Sequence, residues 1–155
     1  MITTEDQLEQ LCIDWFREGG YEYAYGPEIA HDGATPERED YKQVILTGRM
    51  LEALQRINPH IPRSTLEEQV VHVLSKPESP VLIQNNRQFQ RYLLDGVPVE
   101  YSDGDEKKAD HVQLIDFHNP DNNQFPVMNQ STVEGIKIKR RPGSRCEQRI
   151  LGSTV

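Results

Sequence analysis

Residues 89–101 read FQRYLLDGVPVEY, and the hydrophobic period changes inside them. Phe89, Tyr92 and Leu93 recur at helical spacing and, with Ile83, give one apolar face to a helix predicted over 81–94. Gly96 stops that helix. Beyond it, Val97, Val99 and Tyr101 alternate with other residues, the pattern of a half-buried strand. Most of the chain before this switch reads as helix, and most of the chain after it reads as strand and turn. Helices first and a meander of strands second make an α+β domain.

Toward the N-terminus, Ser64 with Glu67 three residues on forms a capping-box signal for a helix carrying Leu66, Val70, Val73 and Leu74. Another helix is predicted over 40–57, with Tyr41, Val44, Ile45, Gly48, Leu51 and Leu54 on one face. Asn58-Pro59 closes it, because a residue before proline avoids helical geometry. Residues 26–39 form a loop rich in glycine, proline and acid. The opening helix is capped by Thr4 with Gln7 at the capping-box position, and Leu8, Leu11, Cys12, Trp15 and Phe16 make its apolar face. Gly19-Gly20 ends it, and residues 21–25 alternate like a short strand.

Toward the C-terminus, residues 102–110 read as a charged turn and HVQLIDF at 111–117 as a strand. NPDNN at 119–123 is turn chemistry, and residues 125–129 form another strand. Residues 132–139 alternate imperfectly, with Gly135 a bend. The segment from 143 to 155 continues no pattern and reads as a disordered tail.

A chain of 155 residues fits one domain that can bury a core. Its net charge of -8 argues against binding a polyanion by overall charge. Cys12 reads as a buried free thiol and Cys146 as part of a polar tail. Two cysteines without a secretory signal point to the cytoplasm. MITTEDQLEQ has neither a basic nor an apolar leader region, and no apolar run approaches the ~18 residues of a membrane span.

No phosphate loop of the GxxxxGK[ST] kind is present, and no His/Cys pair has zinc spacing. His31, His60, His72, His111 and His118 are scattered and read as surface or turn residues. Two acidic clusters, Glu37, Glu39, Asp40 and Asp103, Asp105, Glu106, read as solvated loops. Asp116 reads as a side chain bonded to its following turn. Lys137, Lys139, Arg140 and Arg141 form the basic run, either an exposed strand end or a contact to phosphates.

Several ordered segments together resemble the N-terminal domain of the restriction subunit of type I restriction-modification enzymes. They are TEDQLEQLCIDWFREGGYEY at 4–23, YKQVILTGRMLEAL at 41–54, NPHIP at 58–62 and NNRQFQRYLLDGVPVEY at 85–101. DFHNPDNNQFPVMNQSTVEG at 116–135 and RRP at 140–142 continue the series. The resemblance covers residues 1–142. It implies the PD-(D/E)xK nuclease fold, a mixed sheet flanked by helices, and Mg²⁺-dependent hydrolysis of DNA by an Asp and a Glu-x-Lys on neighbouring strands. Many such proteins add a Glu from the first helix. By position, Glu9 is the catalytic and metal-binding candidate, with a solvent-facing helix glutamate as the other reading. Lys137, Lys139, Arg140 and Arg141 become DNA-binding candidates. The resemblance further implies DNA and the methylation and specificity subunits as partners. ATP is used only by a motor region that this chain lacks.

The chain departs from that pattern at Gly143, where the resemblance calls for Asp. Residues 144–155, SRCEQRILGSTV, hold neither an apolar strand nor Glu-x-Lys, and Glu147 has Arg149 two residues on. The expectation is therefore an incomplete PD-(D/E)xK domain over 1–142 with an aberrant tail over 143–155, from a frameshift, a truncated gene or a gene-prediction error. Mg²⁺ is not expected to be held, and the isolated chain is not expected to cleave DNA. The alternative is a non-catalytic remnant that binds DNA or partner restriction-modification subunits.

Overall fold

Thr4 caps the first helix as its sequence predicts. Its hydroxyl accepts from the Gln7 backbone N–H at 3.3 Å, and the Gln7 side chain accepts from the Thr4 N–H at 3.1 Å. In this computed structural model, which describes residues 4–76, 79–134 and 152–153, helix α1 runs Glu5–Glu18 and strand β1 Tyr23–Tyr25. A one-turn helix α2, Gly26–Ile29, stands where the sequence predicts loop. Next come α3 (Thr47–Ile57), a continuous helical stretch of α4 (Arg63–Thr65), a π-helical segment (Leu66–Val71) and α5 (His72–Ser75), and α6 (Leu82–Asp95). Strands β2 (Val97–Asp103) and β3 (Glu106–Val112), a 3-10 turn (Pro120–Asn122), β4 (Val127–Asn129) and the two-residue β5 (Gly152–Ser153) complete the order. The α+β class is as predicted.

The chain gathers into two compact units, Thr47–Asn123 and Met1–Leu46 with Gln124–Val155. The first has a core of Leu51, Leu54, Ile61, Leu66, Val70, Val97, Val99, Val112 and Leu114. Burying side chains of this size stabilises by about 1.5–3 kcal/mol each. The change of period at Gly96 is where α6 meets β2. Gly96 adopts φ +83 against the Val112 carbonyl, a conformation open to glycine. β2 and β3 form an antiparallel hairpin in the register Val97↔Val112 to Asp103↔Glu106.

Four predictions are corrected here. The charged stretch 102–110 is mostly hairpin strand, because the ladder is built by backbone and its exposed side chains are free to be charged; Lys108 pairs with Asp103 across it. The strand predicted over 111–117 ends at Val112 instead. The buried Asn58 side chain takes over there, accepting from Gln113 N–H at 2.9 Å and donating to Gln113 C=O at 2.9 Å and Leu54 C=O at 3.0 Å. Helix α3 begins at Thr47, not near Asp40. Asp40 accepts from the backbone of Lys42 and Gln43, while Gln43 bonds Glu39 N–H and Ile45 C=O, so local side-chain bonds outcompete the helix. The helix at Arg63 has Pro62 as its cap and no side-chain cap bond, so the predicted Ser64 box is not used.

The other unit is ordered by a parallel pair, not by a meander. β1 pairs with β4 in the register Tyr23↔Val127, Ala24↔Met128 and Tyr25↔Asn129, and β5 pairs antiparallel with β4. Ala24, Ile29, Leu46 and Met128 form its core. Residues 132–134 are not strand, and the rest of the strand predicted over 132–139 lies outside the described residues. The expected apolar face of α1 is also corrected. Leu8, Leu11, Trp15 and Phe16 are exposed, Cys12 is half-buried, and Ile13 is the helix's buried residue.

Two outcomes are expected for the Thr47–Asn123 unit. Asn58→Ala leaves the Gln113 N–H and C=O without their side-chain partner, while Leu54 C=O keeps the backbone N–H of residue 58, and destabilises by about 2–3 kcal/mol in urea unfolding; a loss under about 0.5 kcal/mol would contradict the pinning role. Asp116 accepts from Asn122 Nδ2 and from the N–H groups of Asn119 and His118, and these bonds hold its carboxyl below the usual range. A depressed folded value means the bonds stabilise above the ordinary carboxylate range and are lost as pH falls through the depressed value. Carboxyl-carbon NMR should show Asp116 still ionised when ordinary aspartates, near pH 3.9, have half protonated. Protonation at or above that pH would contradict the loop geometry.

Candidate functional site

The C-terminal ends of β1 and β4 bring together the polar groups of the N-terminal unit. Tyr23 and Tyr25 share one strand face, because side chains alternate along a strand and Ala24 between them is buried. The Tyr23 hydroxyl donates to Asn129 Oδ1 at 2.7 Å. The Tyr25 hydroxyl donates to Gln130 Oε1 at 3.4 Å, and Gln130 Nε2 donates to Glu9 Oε2 at 3.4 Å. Helix α1 reaches these groups by its Glu9–Ile13–Arg17 edge, three positions spaced by four residues. Ile13 is buried, Glu9 is half-buried, and the Arg17 guanidinium lies 5.8 Å from the centre of the Tyr23 ring.

Two features of the backbone hold this arrangement. Gly26, directly after β1, runs flush against residues 129–131. A Cβ there would lie 2.5 Å from Asn129 O, 2.7 Å from Ser131 N and 2.8 Å from Gln130 C. Gln130 itself has φ +52, the one non-glycine residue with positive φ among the described residues. Further along, buried Arg38 donates through Nη1 to Thr132 O at 3.1 Å and Gln43 O at 3.4 Å, while Glu134 N–H donates to Tyr41 O. Nε and Nη2 of Arg38 are buried with no hydrogen-bond partner.

The electrostatics reflect this crowding. Burial first, then the Tyr25 phenol and the carboxylates of Glu9 and Glu28, push the Tyr23 phenol above its ordinary value, with Arg17 acting against them. The site is thus acidic and phenolic, with amide groups between. Among the described residues, no group of three or more His, Cys, Asp or Glu side chains could hold a metal ion. Glu9 faces a neutral amide where a metal site needs further carboxylates. The described residues therefore do not fit Mg²⁺.

Of the candidates in the sequence, Glu9 is placed in this cluster. Lys137, Lys139, Arg140, Arg141, Gly143 and Glu147 lie outside the described residues. All five histidines are exposed, and His60 bonds Asp110 at 3.1 Å. Asp40 bonds the backbone of its own loop, and Asp116 bonds its following turn as its sequence reading expects. Sequence reasoning missed Tyr23, Tyr25, Asn129 and Gln130. Their only signals were the aromatic alternation of YEYAY at 21–25 and the polar stretch MNQS at 128–131, and only the strand pairing makes the two neighbours.

Residues 2–142 match the family described as type I restriction enzyme R protein N terminus. The type I restriction enzyme HindI endonuclease subunit of Haemophilus influenzae is 33% identical over 152 residues, covering 97% of this chain and 14% of that protein. The provisionally assigned type I restriction enzyme MjaIXP endonuclease subunit of Methanocaldococcus jannaschii is 33% identical over 127 residues, covering 82% of this chain and 12% of that protein. The chain thus spans about an eighth of the length of these curated relatives. No solved structure gives a significant match.

The close approach at Gly26 yields a paired test. Gly26→Ala forces β1 and the 129–131 backbone apart and destabilises by about 1–3 kcal/mol. Gly48→Ala, in α3 with open space around it, instead stabilises by about 0.5–1 kcal/mol. Urea unfolding of both variants checks this, and a neutral Gly26→Ala would contradict the packing of β1 against the segment after β4.

Proposed function

The chain belongs to the type I restriction enzyme R protein N-terminus family, and on that premise we propose that it is the N-terminal, nuclease-like part of a restriction endonuclease subunit. The observation that carries this reading is the family match over residues 2–142. The matched relatives' names describe endonuclease subunits of type I restriction enzymes. In this proposal the domain has the PD-(D/E)xK type of fold and the parent assembly restricts DNA in the cytoplasm, together with methylation and specificity subunits. Mg²⁺ and the catalytic Asp and Glu-x-Lys belong to a complete nuclease site, and ATP to a separate motor region. Glu9 is this chain's own contribution to such a site. No helix among the described residues is long and apolar enough to cross a membrane.

A second reading has a specific observation in its favour. A basic run, residues 137–141 (KIKRR), stands near the end of the matched residues 2–142, which fits a chain that binds DNA or partner subunits without cutting. Its DNA contacts would be Lys137, Lys139, Arg140 and Arg141. These cations could track phosphates despite the net charge of -8.

Both readings meet in one pair of assays. The purified chain with Mg²⁺ and supercoiled plasmid is expected to give no cleavage above the level of its Glu9→Ala variant. Mg²⁺-dependent cleavage abolished by Glu9→Ala would show that this chain alone carries a working nuclease site. Retention on DNA that weakens with salt supports the binding reading. Reversing Arg140 and Arg141 should then lower the log–log salt slope by about one per lost phosphate contact, and retention indifferent to salt and to those charges would overturn it.

A further inference from the structure

Gln130 occupies a backbone conformation that glycine adopts freely and other residues adopt at a cost. It stands directly after β4, with φ +52. The bend turns its side chain between two elements distant in sequence. Oε1 accepts from the Tyr25 hydroxyl at the end of β1, and Nε2 then points at Glu9 on α1. Tyr25 thereby sets which end of the amide meets the carboxylate.

We propose that Gln130 is the positioning residue for Glu9, its amide fixing the carboxylate at the C-terminal ends of the parallel pair β1 and β4. The inference rests on the reading of Glu9 as a first-helix carboxylate of the nuclease site. The rotation of α1 supports it independently. A helix with apolar Leu8, Leu11, Trp15 and Phe16 leaves those residues exposed and turns the edge bearing Glu9 toward the strand ends. The chemistry of the contact also fits. A lysine or arginine at position 130 would neutralise Glu9, whereas a neutral amide donor orients the carboxylate and leaves its full negative charge for whatever ligand approaches. Gly26 gives the 129–131 backbone the close seat on β1 that the bend needs.

Backbone strain and side-chain function separate in the variants. Gln130→Gly removes the strain together with the amide, so its melting temperature should equal or exceed that of the parent chain. In its crystal structure Glu9 should leave its position and spread over several rotamers. Gln130→Ala keeps the strain without the amide and should melt lower, with Glu9 equally released. Tyr25→Phe should loosen Glu9 while leaving φ at residue 130 positive. Glu9 found in one unchanged rotamer in Gln130→Gly and in Tyr25→Phe would overturn the proposal and leave Gln130 a turn residue. The readout is a side-chain position, not cleavage. A fixed Glu9 in a subunit whose cleavage is indifferent to Glu9→Ala would sink the catalytic reading of Glu9 and leave its positioning by Gln130 intact.

Discussion

The parallel pairing of β1 with β4 is the contact on which the N-terminal unit depends. It joins residues about a hundred positions apart, Tyr23–Tyr25 to Val127–Asn129. Closing so long a loop costs conformational entropy, and a three-residue ladder offsets little of that by itself. Side-chain and backbone chemistry at the same place completes it: the Glu22 carbonyl accepting from Val127 N–H at 2.7 Å, the Tyr23–Asn129 bond, the Gly26 approach, and the cluster of Ala24, Ile29, Leu46 and Met128. The cluster around Glu9 exists because this pairing sets Tyr25 and Gln130 side by side.

The Thr47–Asn123 unit uses a related device on its hairpin, at the end of β3 and in the middle of β2. Asn58 gives Gln113 both a donor and an acceptor where β3 stops, and Gln69, within the π-helical segment, does the same for Glu100 of β2 at 2.6 and 3.1 Å. A side-chain amide has the same donor and acceptor pair as a peptide group, so it can stand in for a missing strand. Both amides thus satisfy backbone groups that a two-stranded hairpin cannot pair by itself.

Much of this was legible in the residues. Thr4 and Gly19 bound α1, Gly96 marks the change from α6 to β2, and their order gives the α+β class. The family resemblance read from the segments between 4 and 142 agrees with the match over 2–142. Other features were not legible for identifiable reasons. The end of β3 depends on Asn58, 55 residues away, and the late start of α3 depends on bonds by Asp40 and Gln43 that compete with helix. Period alone assigned α1's apolar face inward, but nothing local states which side of a helix its neighbours will take. Glu9 was singled out by position, whereas its partners Tyr25 and Gln130 become visible only through tertiary pairing.

One register sets the N-terminal unit, Ala24 opposite Met128 in parallel strands, both side chains facing the same core. A cysteine pair measures it directly. With Cys12 and Cys146 replaced by serine, Ala24→Cys with Met128→Cys should oxidise to a disulfide, since paired strands bring Cα atoms within the 4.4–6.8 Å that a bridge requires. Ala24→Cys with Pro126→Cys should stay reduced. Bridging in the second pair, or its absence in the first, would contradict the pairing that sets Tyr25 and Gln130 side by side against Glu9.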